Sequence, residues 1–401
     1  MRFLRLSSTY AEFARAFAAG TPGLDELSYA DGFLRFADTL YGRADWEEIY
    51  LRELGHEAEV HYVNLEPLQK AWAREHGVAW QENRWREEIA AAQAKAFRPD
   101  VVFFDDLYLC DRTFRDFLRG ECARGTFFVG SRAAPTDEWT RFSDLDLVFT
   151  LVPHFVEALR AAGVRAEILP LAFEHSLLEK LAPLPPRDLA FTFAGRAGLP
   201  RGPHRERFAT LARIAVATPL EVWSELGSAA RTAKGRVLRG ALEGADALLE
   251  LLSLSKRRRA SIPGVNLGLL LRVVAREPDR FHRAVFAREY LLVLARSRLV
   301  FNQHIDVAGE YAANLRLYEA TGLGACLVTD WKKNLGELFE LDREVVAYRS
   351  ADECLERATW LLDHHDEARK IGEAGQRRTL RDYTVRRRME RHLELVLRLR
   401  G

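Results

Sequence analysis

The stretch Ala312–Asp330, AANLRLYEATGLGACLVTD, changes character half-way along. Its first half reads as a helix with Leu315, Tyr318 and Leu323 on one apolar face, and the glycines at 322 and 324 end it. The run Ala325–Thr329 that follows reads as a short buried strand. A helix delivered into a buried strand through a glycine turn belongs to a β-α-β unit, the building block of a parallel sheet. Within that helix Arg316 and Glu319 stand three residues apart, on one face. An ordinary i,i+3 ion pair there contributes only about 0.2–0.5 kcal/mol. The alternative is a polar pair presented to a ligand.

The same alternation runs outward in both directions. Towards the N-terminus, Phe3–Ser8, Ala58–Asn64, Asp100–Asp106, Gly125–Ser131 and Asp144–Thr150 read as strands separated by helical patterns. A proline-rich break follows, with Pro170, Pro183, Pro185 and Pro186, and then the pattern restarts. Asp188–Gly195, Leu220–Trp223, Arg298–Asn302, Ala325–Thr329 and Glu344–Tyr348 are its strands. The expected fold class is therefore α/β, with two Rossmann-like, doubly wound, parallel-sheet domains facing a cleft. The boundaries expected are 1–182 for the first domain and 183–375 for the second, with a helical insertion at 224–289 that shows no strand pattern. The charged helical tail 376–401 is expected to pack back on the first domain.

Bulk composition bounds the function. The chain has 401 residues, 48% hydrophobic and 29% charged, as a soluble globular protein does. Its net charge of +1 excludes a general polyanion binder, so no nucleic-acid partner is expected. Two basic patches, Lys256–Arg259 and the tail from Arg377 to Arg400, read as solvated helix faces that would also suit a membrane surface. Cys110, Cys122, Cys326 and Cys354 form no CxxC pair, which suits a reducing, cytoplasmic setting. Arg2 and Arg5 interrupt the N-terminal apolar run, and no apolar run reaches membrane-spanning length. No metal-ligand spacing appears.

Ligands of such sheets bind beyond the carboxyl ends of the strands. In the second domain the residues there are Gly195, Arg196, Asn302 and His304, together with the helix that opens near Arg316. An arginine fork suits a diphosphate, and a glutamate one turn on can accept from the vicinal hydroxyls of a ribose. His304 is placed to reach a phosphate or a sugar, or else to serve the core. In the first domain, Asp105 and Asp106 end the most apolar strand, as an acceptor-activating base or as turn aspartates.

From Ser297 to Met389 the sequence resembles the C-terminal domain of spore-maturation-type (CgeB-like) glycosyltransferases. The resemblance lies in Asn302, His304, Asn314-x-Arg316-x-x-Glu319, Gly322, Gly324, Thr329-Asp330, Glu344-Val-Val-x-Tyr348 and Gly375…Tyr383-Thr384…Arg387. It implies the GT-B architecture and transfer of a hexose-type sugar from a nucleoside-diphosphate sugar, without metal or other cofactor. The acceptor implied is a cell-envelope glycan, a protein or a small molecule. Gly195, Arg196, Asn302, Asn314, Arg316 and Glu319 would hold the nucleotide sugar, and Asp105, Asp106 and His304 would be the catalytic candidates. One departure stands out. Related retaining enzymes carry a glutamate, seven residues, then a glutamate; counting back from Glu319 reaches Tyr311, with Glu310 one place off. Two other functions share the architecture, a nucleotide-sugar epimerase and a non-catalytic envelope scaffold.

Overall fold

Val101–Phe104, VVFF, is buried at all four positions, which a strand achieves only with helices on both faces of its sheet. In the computed structural model, which describes residues 1–41, 44–198, 205–230, 270, 273–274, 276–305 and 309–400, this strand is the third of six in a parallel sheet. The basic run Lys256–Arg259 and most of the insertion expected at 224–289 lie outside the described residues. The chain forms two units, Met1–Glu174 with Thr384–Gly401, and His175–Tyr383.

In the first unit the strands are β1 (Arg2–Ser7), β2 (Glu57–Tyr62), β3 (Val101–Phe104), β4 (Phe127–Ser131), β5 (Leu147–Thr150) and β6 (Ala166–Ile168). They are ordered β2-β1-β3-β4-β5-β6 and all run parallel. One face packs Leu4, Leu6, Val102, Phe104 and Phe128 against the small residues of the helix Trp85–Phe97 and against Phe114 and Leu118 of the helix Arg112–Glu121. The other face receives the C-terminal helix, Val385–Arg400. Its His392 ring stands edge-on to Phe3, Phe103 and Phe149. The arginines of this tail pair with acids of the same unit: Arg386 with Glu53 at 2.8 Å, Arg398 with Glu167 at 2.9 Å and Arg400 with Asp100 at 3.2 Å.

In the second unit the strands are β7 (Leu189–Ala194), β8 (Leu220–Trp223), β9 (Phe281–His282), β10 (Ser297–Asn302), β11 (Cys326–Asp330) and β12 (Val346–Tyr348). Their order is β12-β11-β10-β7-β8-β9, again parallel throughout. Phe191, Phe193, Phe301, Val328, Leu211 and Ile214 are among the residues that form its core. Each sheet holds one strand more than the sequence pattern announces. β6 has three residues and β9 two, too short for any periodicity to register, and β9 falls inside the region read as purely helical. The helix of the opening stretch spans Arg316–Gly322, later than its apolar pattern suggests, and buries Leu317 beside Tyr318. Leu323 and Gly324, the latter at φ +77°, then turn the chain into β11.

Each sheet order reverses once, between β1 and β3 in the first unit and between β7 and β10 in the second. At such a point the flanking connections leave in opposite directions and open a crevice at the strand ends.

Candidate functional site

Arg316, the first residue of its helix, turns its guanidinium onto the carboxyl ends of β7 and β10. Nη1 donates to Asn302 Oδ1 at 3.0 Å and Nη2 to the Ala194 carbonyl at 2.5 Å. The fork lies over the Phe193 ring, 5.1 Å from its centre. Gly195 makes this approach possible. Its φ of +142° favours glycine, and a Cβ built there would collide with Arg316 Nη2. Asn302 is wholly buried, and its amide is oriented from both ends: Nδ2 donates to Thr329 Oγ1 at 2.9 Å, while Oδ1 also accepts from Asn314 Nδ2 at 2.8 Å. Asn314 Oδ1 accepts the Leu317 N–H at 3.3 Å and so steadies the entry to the helix. After these bonds Arg316 Nε remains buried without a partner.

Glu319 does not pair with Arg316 among the described residues. Its Oε2 accepts from the hydroxyl of Tyr290, on the helix Ala287–Arg296, at 2.7 Å. The surface ion-pair alternative is thereby set aside, because both members have turned to other partners. Burial pushes the Glu319 carboxyl up to about 6, against the opposing effects of the Tyr290 hydrogen bond and the Arg316 charge.

His304 lies past the end of β10 with its side chain fully buried. Its Nδ1 and its backbone N–H both meet Asp330 Oδ1, at 2.7 and 2.9 Å. An ionised carboxylate accepts only, so Nδ1 carries a proton; Nε2 is buried with no partner. Burial alone would raise the Asp330 carboxyl, yet His304 and Lys332, 3.3 Å away, hold it below its ordinary value. Buried Arg207 ties the loops after β7 and β10 together through the carbonyls of Arg196, at 3.1 Å, and Gln303, at 2.9 Å. The Arg196 side chain itself is exposed. Beyond it, the Ala197 and Gly198 N–H groups donate to the Glu225 carboxylate at 3.2 and 3.0 Å.

Asp105 and Asp106 occupy the other switch point, in the first unit. Asp105 Oδ2 accepts from Arg5 Nη1 at 3.0 Å and from Ser7 Oγ at 2.8 Å. Asp106 accepts from Ser8 Oγ at 2.9 Å and from the N–H groups of Tyr108 and Leu109 at 2.9 and 3.0 Å. Asp106 thus closes a turn, and Asp105 joins a buried ion network. Glu310, the displaced glutamate, is an exposed partner of Lys333 at 2.6 Å.

Sequence reasoning did not single out Tyr290 or Arg207. Tyr290 lies 29 residues upstream of the glutamate it holds, and only the packing of two helices joins them. Among the described residues no group of three or more His, Cys, Asp or Glu is arranged to hold a metal ion. No described helix is long and apolar enough to cross a membrane.

Residues 245–394 match the family described as Glycosyl transferase-like. No curated protein matches the chain. Among solved structures, sucrose-phosphate synthase of Thermosynechococcus elongatus superposes with a TM-score of 0.57 at 11% identity, covering 100% of this chain and 99% of that one. HepE of Anabaena in complex with UDP-glucose gives 0.55 at 13% identity, over 99% of this chain and 100% of that one. A glycosyltransferase from Rickettsia africae gives 0.55 at 10% identity, over 99% and 98%. The fold is GT-B. At these identities the likeness carries the architecture, and with the family match it supports a glycosyltransferase. The Arg316–Asn302–Glu319 constellation sits on the second of the two GT-B sheets, inside the stretch that the family match covers.

Proposed function

We propose that this chain transfers a sugar from a nucleoside-diphosphate sugar to an acceptor hydroxyl, and that the donor binds at the carboxyl ends of β7 and β10. The observation that carries this is Arg316. Its guanidinium is held at the switch point by Asn302 and Ala194, yet Nε–H is buried and unpaired. A buried donor without an acceptor costs about 1–3 kcal/mol, a penalty that an anionic ligand removes. In the transfer, the bond between the anomeric carbon and the diphosphate oxygen breaks and its electrons leave with the diphosphate. The acceptor oxygen bonds to the same carbon and gives up its proton to the departing diphosphate, the base that the step creates. Arg316 meets the charge that develops on the leaving group. His304 Nε2, also buried without a partner, bonds a phosphate oxygen when the ring is protonated, or a hydroxyl of the donor sugar. Glu319 takes the ribose hydroxyls.

The finer reading is a hexosyl, metal-independent enzyme of the CgeB-like group, in which Arg316 does the work that a divalent cation does elsewhere. HepE, bound to UDP-glucose, suggests the first donor to try. Incubation with a panel of UDP-, GDP- and dTDP-sugars tests the proposal. Release of free nucleoside diphosphate supports it. Interconversion of the sugar with the nucleotide retained points to an epimerase, and no binding at all to a scaffold.

A further inference from the structure

We propose that Tyr290 is the positioning residue of the nucleotide site. Its hydroxyl holds one oxygen of Glu319 so that the ionised carboxylate presents its other oxygen to the ribose, and nucleotide binding depends on Glu319 being ionised. The inference rests on the donor reading above and adds a residue and a pH dependence to it.

Tyr290 is built for this task. It packs against the cluster of Leu189, Ala194, Trp223 and Val293, which fixes its ring against β7. A two-torsion aromatic so anchored delivers its hydroxyl with little entropy left to lose. The hydroxyl sits 2.7 Å from Glu319 Oε2 and beside the Arg316 guanidinium. Its own titration is pushed well above the ordinary tyrosine range, first by burial and then by Glu319, so it remains a donor at every working pH. Glu319 Oε1 has no hydrogen-bond partner among the described residues. The charged and titratable groups that act on Glu319 are Tyr290, from the helix Ala287–Arg296, and Arg316, from its own helix. The helix His365–Asp382 meets the Glu319 helix through neutral contacts, Thr379 to Thr321 at 2.6 Å and Gln376 to the Gly322 carbonyl at 2.9 Å.

A carboxylate accepts from two vicinal hydroxyls; a protonated carboxyl has lost one of those acceptor positions. Affinity should therefore be complete above the Glu319 pKa of about 6 and fall as the pH drops through it. The Tyr290 hydrogen bond lowers that pKa, so removing it moves the midpoint upwards.

Calorimetric titration with UDP-glucose, whose diphosphate does not titrate near neutrality, is run at a series of pH values on the whole chain. The parent should show affinity declining below about pH 6. Tyr290→Phe should bind roughly tenfold more weakly at neutral pH, the scale of one hydrogen bond to an ionised group, with its midpoint shifted to higher pH. Glu319→Gln should bind weakly, without the fall in affinity below about pH 6 that the carboxylate imposes. If Tyr290→Phe overlays the parent in affinity and midpoint while Glu319→Gln is weak, the role of Tyr290 is overturned and the ribose role of Glu319 stands. If Glu319→Gln binds like the parent, the ribose role itself is wrong. The parent profile does not depend on any variant folding, and a flat one overturns the pH dependence outright.

Discussion

The carboxyl ends of β1 and β3 and those of β7 and β10 are the same place in two similar sheets, and both carry an arginine among acids and amides. At the first, every charge is answered within the protein. Arg5 forms a two-pronged pair with Glu48 at 2.8 Å on each prong, donates to the Ala44 carbonyl and reaches Asp105; Arg388 adds a contact to Glu47 at 3.4 Å. At the second, Arg316 Nε and His304 Nε2 are buried and left over, and only one oxygen of Glu319 is engaged, by Tyr290. Charge at a switch point therefore does not by itself mark a site. Unanswered hydrogen-bonding capacity gathered on neighbouring charged residues at one strand end is the better guide, because water or a ligand must supply what the protein withholds.

The largest effect expected tests the closed end. Arg5→Leu removes the buried cation that Glu47, Glu48 and Asp105 share. Breaking a buried ion network by removing one partner costs about 3–5 kcal/mol. Urea denaturation should show a marked fall in the unfolding midpoint. An unchanged midpoint would mean that the two switch points are more alike than their contacts suggest.

Arg316→Ala makes the matching test at the open end. Turnover with a nucleotide sugar should fall by roughly 10²–10³, the scale of losing one preorganised donor to a developing charge. Stability should fall by about 1–3 kcal/mol, the scale of the charged hydrogen bonds removed. Steady-state kinetics beside thermal melts separates the two quantities. A large loss of stability with little loss of turnover would make Arg316 a second Arg5.

Gly195→Ala probes how the open end is held open. The backbone at φ +142° costs about 1–3 kcal/mol for a residue with a Cβ. The added methyl also displaces Arg316 Nη2. A shift of about 1 Å in a positioning group can lower a rate by up to 10². The variant should stay folded with turnover on the order of tenfold lower, measured in the same assay.

These contrasts were partly legible in the sequence. Alternating apolar runs and helical patterns announced both sheets, because buried parallel strands must be continuously apolar. The Asn314-x-Arg316-x-x-Glu319 spacing announced that a polar group stands at a strand end. Spacing could not say where those side chains turn. Arg316 and Glu319 look like an ion pair at i,i+3, and they part because Asn302 and Tyr290 offer each a better-placed partner from distant elements. Spacing was silent on the surroundings of Asp105 and Asp106 for the same reason. Their partners Arg5, Ser7 and Ser8 lie about a hundred positions away and meet them only once β1 and β3 pair.

The smallest effect expected has an unusual sign. Glu319 rises from the ordinary 4.5 to about 6 in the folded chain, first through burial. Between those values the folded protein keeps a proton that the unfolded chain has released. Stability therefore declines as the pH rises through this window, and the whole penalty is present above about pH 6. A shift of this size corresponds to about 1–2 kcal/mol after allowance for the partial exposure of the side chain. Glu319→Gln removes the titration while its amide oxygen still accepts from Tyr290. The variant should melt a few degrees above the parent at pH 7.5 and match it near pH 4.5, as differential scanning calorimetry at the two pH values would show. Asp105, held by Arg5, should behave in the opposite way: its replacement by Asn should destabilise the chain at neutral pH. A Glu319→Gln variant that melts below the parent at pH 7.5 would mean that this carboxylate anchors the fold as Asp105 does, and the contrast between the two switch points would fail at the residue to which the ribose role is assigned.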